Sequence, residues 1–185
     1  MARLLRGDSL LLLIDLQEKL MPVIDRHDDV AKNVERLIRG CHLLDAIPIV
    51  VTEQYVKGLG PTIEPLRNAL AETAGYQPVE KSCFSAQGCG EFVAAMRMLK
   101  KKQIIVAGIE THVCVYQTVS DLLAAGYDVT IVADAMSSRT AENRDIAIRR
   151  MVADGAHLTS TEMALFELTV NSGTDEFKAI AKLVK

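Results

Sequence analysis

The 185-residue chain contains no tryptophan, no internal repeat, no low-complexity tract and no cysteine pair spaced CxxC. Its four cysteines, Cys41, Cys83, Cys89 and Cys114, are too scattered for a structural zinc site, which uses closely spaced pairs. In a reducing compartment they are thiols. No stretch approaches the roughly 20 consecutive apolar residues that span a bilayer. Two arginines precede the apolar run at 10–14, as in a secretion signal, but the run is too short for one and Asp15 ends it. The chain therefore reads as cytoplasmic, without a membrane partner. Clustered positive charge is also missing: the net charge is −3, and the one basic run, at 100–102, falls at a helix end, where it complements the dipole. A nucleic-acid footprint is excluded on that ground. KGLG (57–60) lacks the GKS/T ending of a phosphate loop, and neither it nor QGCG (87–90) completes a GxGxxG after a strand; both read as turns.

What is present is alternation. Short apolar runs, rich in β-branched residues, fall at 9–15, 47–52, 77–81, 103–108, 128–134 and 156–159. Between them lie amphipathic segments at 28–44, 62–73, 89–100, 111–125 and 141–154, and two more helical segments follow at 161–169 and 174–185. On the first helix Val30, Val34, Leu37, Ile38, Cys41 and Leu44 share one face, which makes Cys41 a core residue. Met96, Met98 and Met163 read as core or near-core fillers. Strands that do not alternate in polarity are buried on both faces, and strand–helix alternation makes their sheet parallel. The expected fold is one three-layer, doubly wound α/β domain over 1–185, with a six-stranded, mostly parallel sheet in the order 3-2-1-4-5-6. In that order strands 1 and 4 are neighbours at the topological switch point, where such sheets bind ligands beyond the carboxyl ends of their strands.

Asp15 ends strand 1, Lys81 ends strand 3, and Cys114 lies just past strand 4, where a helix begins. The three therefore share one rim. A thiol reacts as its thiolate, and a helix N-terminus or a nearby ammonium favours that form. Asp15 can take the proton, Lys81 can hold the carboxylate, and amides opening the helix can stabilise an oxyanion. The plainer readings are a buried structural cysteine, an aspartate that caps a turn and a surface lysine. A cysteine-phosphatase loop is excluded because position 120, where its arginine would stand, is Ser120. His112 lies two residues before Cys114 and points away from it on a helix.

The segments LLIDLQ around Asp15, VEKSCFSA around Lys81 and GIETHVCV around Cys114 resemble the isochorismatase-like cysteine hydrolases. VTEQYVKGLGPT (51–62) and STEMALFEL (160–168) are similar to one branch, the isochorismatase domain-containing proteins. The resemblance implies a catalytic triad of Asp15, Lys81 and Cys114, and a cis peptide at Ile109-Glu110 that aims the Glu110 amide, with that of Cys114, at an oxyanion. It implies hydrolysis of a small amide or related C–N or ester bond through a covalent thioester, without cofactor or metal, in a homo-oligomer of two or more copies. Gln17, Gln54, Phe84, Thr111 and Tyr116 sit on the same rim and are expected to contact the small-molecule substrate. Isochorismatases proper lack the cysteine, so Cys114 argues against isochorismate cleavage. Nicotinamidases carry a DxH metal motif where this chain has Glu53, Gln54 and Tyr55. Two other readings of the residues stand beside hydrolysis: a redox-sensing thiol paired with Cys83 or Cys89, and an oligomeric binding protein that retains the triad without turnover.

Overall fold

The computed structural model describes residues 3–45, 47–73 and 76–185. Its strands are β1 (Ser9–Ile14), β2 (Ile49–Gln54), β3 (Val79–Lys81), β4 (Gln103–Gly108), β5 (Asp128–Met136) and β6 (His157–Thr159). They form one six-stranded sheet in the order β3-β2-β1-β4-β5-β6, and every pairing is parallel. Every residue of β1 and of β4 is buried, as expected for strands covered on both faces.

Successive β1 side chains point to opposite sides. Leu11 and Leu13 pack into one core with Val34, Leu37 and Ile38 of α1 (His27–Leu43) and Leu165 and Leu168 of α7 (Thr161–Thr169). Leu10, Leu12 and Ile14 pack into the other, with Phe92 and Met96 of α4 (Gly90–Leu99), Val119 and Leu122 of α5 (Tyr116–Ala124) and Met151 of α6 (Ala141–Ala153). Each fully buried leucine contributes roughly 1.5–3 kcal/mol. The sheet is therefore pinned from both sides, and the ends of β1, β3 and β4 are fixed relative to one another.

Several elements differ from the pattern-based expectation. β2 begins at Ile49 rather than at residue 47, because Pro48 has no N–H for the ladder, although its carbonyl still accepts from the Leu11 amide at 2.9 Å. KGLG lies largely within a short helix, α2 (Val56–Leu59), closed by Gly60 at φ 77°. The 62–73 helix shortens to α3 (Glu64–Ala71), with proline in its first turn. Of the turn expected at 87–90, the first two residues belong to a 3₁₀ turn, Ala86–Gly88, and Gly90 already opens α4. The helix expected over 111–125 is two elements: a wide π-type turn, Thr111–Val115, and then α5. α8 (Asp175–Leu183) closes the described chain. Met96 is buried, but Met98 and Met163 are exposed, because each falls on the solvent side of its helix.

Candidate active site

The carboxyl end of β1 is sealed by backbone before any side chain is considered. The Asp15 amide donates to the Thr52 carbonyl at 3.1 Å, and the Ile109 amide to the Ile14 carbonyl at 2.9 Å. Gly108 makes this approach possible: a Cβ there would stand 2.2 Å from the Ile14 carbonyl oxygen, and its φ of 133° suits glycine alone. Asp15 itself is left-handed at φ 54°, a conformation that aspartate tolerates better than most residues. The chain turns sharply there, and the carboxylate lies beneath the switch point with no solvent exposure.

Lys81, ending β3, donates to Asp15 Oδ2 at 2.6 Å, and both side chains are wholly buried. Thr52 Oγ1 donates to the other carboxylate oxygen at 2.7 Å. The ammonium also reaches Gln54 Oε1 at 2.8 Å and the carbonyls of Phe84 and Cys83 at 3.1 and 3.3 Å. A buried ion pair survives because hydrogen bonds replace the lost water; here each charged group is surrounded by them. The loop after β3 is tied in turn to α5, where Ser85 Oγ donates to Asp121 and the Ala86 amide to Thr118 Oγ1.

Cys114 lies in the wide turn after β4 and is 7% exposed. Burial pushes its thiol up to about 12; the Asp15 charge adds to the rise, and the Lys81 charge opposes it. A cysteine with an activated thiol should titrate low, and the rise at Cys114 runs the other way. Cys114 therefore rests as a neutral thiol beside the Asp15–Lys81 pair. The neighbouring Ile109-Glu110 peptide is cis. The Glu110 amide has no hydrogen-bond acceptor among the described residues.

The remaining rim residues divide. Gln54 and the Phe84 carbonyl hold Lys81, while the Phe84 ring stands at the surface, 54% exposed. Gln17 is wholly buried and its amide is committed: it donates to the Gln54 and Gly60 carbonyls and accepts from the Gln54 amide, which leaves nothing for a substrate. Tyr116 turns its ring towards α6, beneath the Arg150 guanidinium at 4.7 Å. Thr111 is buried, and its hydroxyl has no partner among the described residues. Glu53, which stands where the nicotinamidase metal motif would fall, gives its carboxylate to Thr62 and Tyr76. Among the described residues, no group of three or more histidine, cysteine, aspartate or glutamate side chains is placed to hold a metal. Sequence reasoning missed Thr52. As the polar end of the run IVVT, on the strand beside Asp15, it carried a readable signal.

An apolar hollow of about 490 Å³ between β2, β3 and α4 lies at the amino ends of the strands and touches none of these residues. Asp15, Lys81 and Cys114 lie at the opposite end of the sheet, and all three are buried.

A doubly wound parallel sheet with a buried polar cluster at its switch point defines a class of α/β proteins. The model of the isochorismatase domain family matches residues 9–163. The chain is 39% identical over 182 residues to isochorismatase domain-containing protein 2 of Danio rerio, covering 98% of this chain and 89% of that protein. It is 37% identical over 186 residues to the secreted isochorismatase effector Isc1 of Phytophthora sojae, covering 100% and 88%. Among solved structures, the MAR1 ribonuclease of Caenorhabditis elegans superposes with a TM-score of 0.89 at 37% identity, covering 99% and 92%. YcaC of Pseudomonas aeruginosa, solved with hexane-2,5-diol and covalent acrylamide, gives 0.89 at 29%, covering 98% and 91%. The YcaC gene product of Escherichia coli, an octameric hydrolase of unknown specificity, gives 0.90 at 27%, covering 99% and 89%. The chain belongs to the isochorismatase family, in the branch of the isochorismatase domain-containing proteins.

Proposed function

We propose that this protein is a metal-independent cysteine hydrolase of a small amide, or a related C–N or ester bond. The observation that carries the reading is the wholly buried pair of Asp15 and Lys81, whose charges both bear on the Cys114 thiol. Cys114 attacks the carbonyl carbon as its proton passes to Asp15. Lys81 holds the carboxylate in position and balances its charge. The oxyanion that forms is met by the amides of Glu110 and Cys114. The C–N bond then breaks, Asp15 returns the proton to the leaving amine, and a thioester remains on Cys114. Water attacks the thioester, giving its proton to Asp15, and the sulfur leaves and is reprotonated. A thiol that titrates near 12 must lose its proton as it attacks, which is the task of a general base. The burial of all three side chains favours small acyl groups, and the covalent acrylamide in the Pseudomonas YcaC supports a reactive site that a small electrophile can reach.

The redox reading needs a pre-formed thiolate, which the raised Cys114 titration disfavours. The nematode relative is named a ribonuclease, a reading that the charge of this chain does not favour. Here the net charge is −3, and the basic run at 100–102 precedes β4, at the end of the sheet away from Cys114. An octameric relative supports a homo-oligomer, and four free thiols suit a reducing cytoplasm. No described helix is long and apolar enough to cross a membrane. The test is hydrolysis of a panel of small amides and activated esters, including p-nitrophenyl acetate. Turnover by the wild type, reduced about a thousandfold or more in Cys114→Ala and Asp15→Asn, is expected. Full turnover by Cys114→Ala would overturn the reading.

A further inference from the structure

We infer that the loop between β5 and α6, through Arg139 and Ser138, positions the oxyanion-binding backbone beside Cys114. The inference rests on the hydrolase reading above and adds residues that neither touch the thiol nor line the triad. Three consecutive residues before the cysteine dock on three consecutive residues of this loop. Glu110 Oε2 accepts from the Arg139 side chain (Nε) at 3.0 Å and from its backbone amide at 3.3 Å. The Thr111 amide donates to the Ser137 carbonyl at 2.9 Å. His112 Nδ1 meets Ser138 Oγ at 3.0 Å. The loop is itself anchored: Ser137 and Ser138 are buried, the Ser138 carbonyl accepts from the Asp25 amide at 2.9 Å, and Thr140 caps α6 by accepting from the Asn143 amide.

The consequence follows from where the free donor lies. The Glu110 amide is unpartnered among the described residues, so no backbone bond of its own fixes its direction. Its direction is set by the bonds around it: the Glu110 carbonyl accepts from the Val113 and Val115 amides within the turn, at 3.0 and 3.3 Å, while the Glu110 side chain, the Thr111 amide and the His112 ring are all held by the 137–139 loop. An isolated, exposed ion pair is worth little. Here the Arg139 side chain is 61% exposed but that of Glu110 only 14%, and the pair closes a ladder whose other two rungs are already made. Removing it lets the Glu110 peptide swing at the point where an oxyanion would develop, whereas the thiol stays in place.

Two reagents separate these effects. Acylation of Cys114 by p-nitrophenyl acetate forms the S–C bond through an oxyanion, passes the thiol proton to Asp15 and expels p-nitrophenolate. Alkylation by iodoacetamide forms an S–C bond, releases the thiol proton to Asp15 or water and expels iodide, with no oxyanion. In Arg139→Ala the acylation rate is expected to fall about tenfold, since small misplacements of catalytic groups are costly, and the alkylation rate to stay near that of the wild type. Arg139→Lys should recover most of the loss. Glu110→Gln should also slow acylation, and the double variant should lose less than the product of the two single losses, because both residues act through the same contact. Wild-type acylation rates in both single variants, or equal losses of acylation and alkylation, would overturn the inference. A wild type whose thiol is alkylated but never acylated would remove the hydrolase reading itself, and this inference with it.

Discussion

A thiol that is 7% exposed and faces a carboxylate keeps its proton to about pH 12, although a buried ammonium stands nearby. Alkylation by iodoacetamide follows the thiolate fraction. The Cys114 rate should therefore climb with pH by about tenfold per unit well past the ordinary thiol range near 8.5, with no plateau below it. Peptide mass spectrometry after timed labelling reads this directly, and a plateau near pH 7 would show an ion pair formed in advance. The partners of Cys114 differ in what they cost to remove. Lys81→Met leaves the Asp15 carboxylate buried without its counter-ion and should destabilise the fold by about 3–5 kcal/mol. Thr52→Val removes one hydrogen bond to that carboxylate and should cost about 1–3 kcal/mol in urea unfolding.

The junction between β1 and β4 is where local geometry and site meet. Gly108→Ala would drive a Cβ into the Ile14 backbone and should lower stability by more than about 2 kcal/mol. Gly126→Ala, at φ 86° with open space around it, carries only the conformational penalty and should cost about 1 kcal/mol. Denaturant midpoints of the two variants test the difference. The strands and their order were legible because SLLLLI and QIIVAG are continuous apolar runs and the alternation admits few topologies; the meeting of Asp15 and Cys114 followed from that order. The wide turn at Thr111–Val115 was not legible, since an apolar period does not distinguish a π-type turn from an α-helical one over five residues. Nor was the commitment of Gln17 to backbone, or the link between Glu110 and Arg139, because each joins segments that only the fold brings together. Met98 and Met163 were misplaced because methionine marks a core less reliably than a branched residue does.

Across the molecule, burial of ionisable groups gives stability a predictable pH dependence. Cys41 and Cys114 are raised from 9.0 to about 12, and Tyr76 from 10.0 to about 12, in each case mainly by burial. Each group binds its proton more tightly when folded. The stabilisation is fully present below about pH 9 and is lost as pH rises from there through about 12. Urea midpoints should therefore be flat near neutrality and fall steeply above pH 9. Cys41→Ala should cost about 1 kcal/mol at pH 7 through a small cavity, yet make the alkaline fall shallower. The chain is 20.2 kDa, and sedimentation at low salt should give a mass of at least twice that, in keeping with the oligomeric reading.

The central claim is that Asp15, Lys81 and Cys114 form one covalent catalytic unit, and intact-mass analysis tests it most directly. The protein is mixed with p-nitrophenyl acetate, quenched in acid within milliseconds to seconds, and digested to locate any acetyl group. A transient acetyl thioester on Cys114, present in the wild type, slowed in Asp15→Asn and missing in Cys114→Ala, is the predicted result. A protein that hydrolyses the ester with Cys114 never acylated, or equally well without it, would contradict the account.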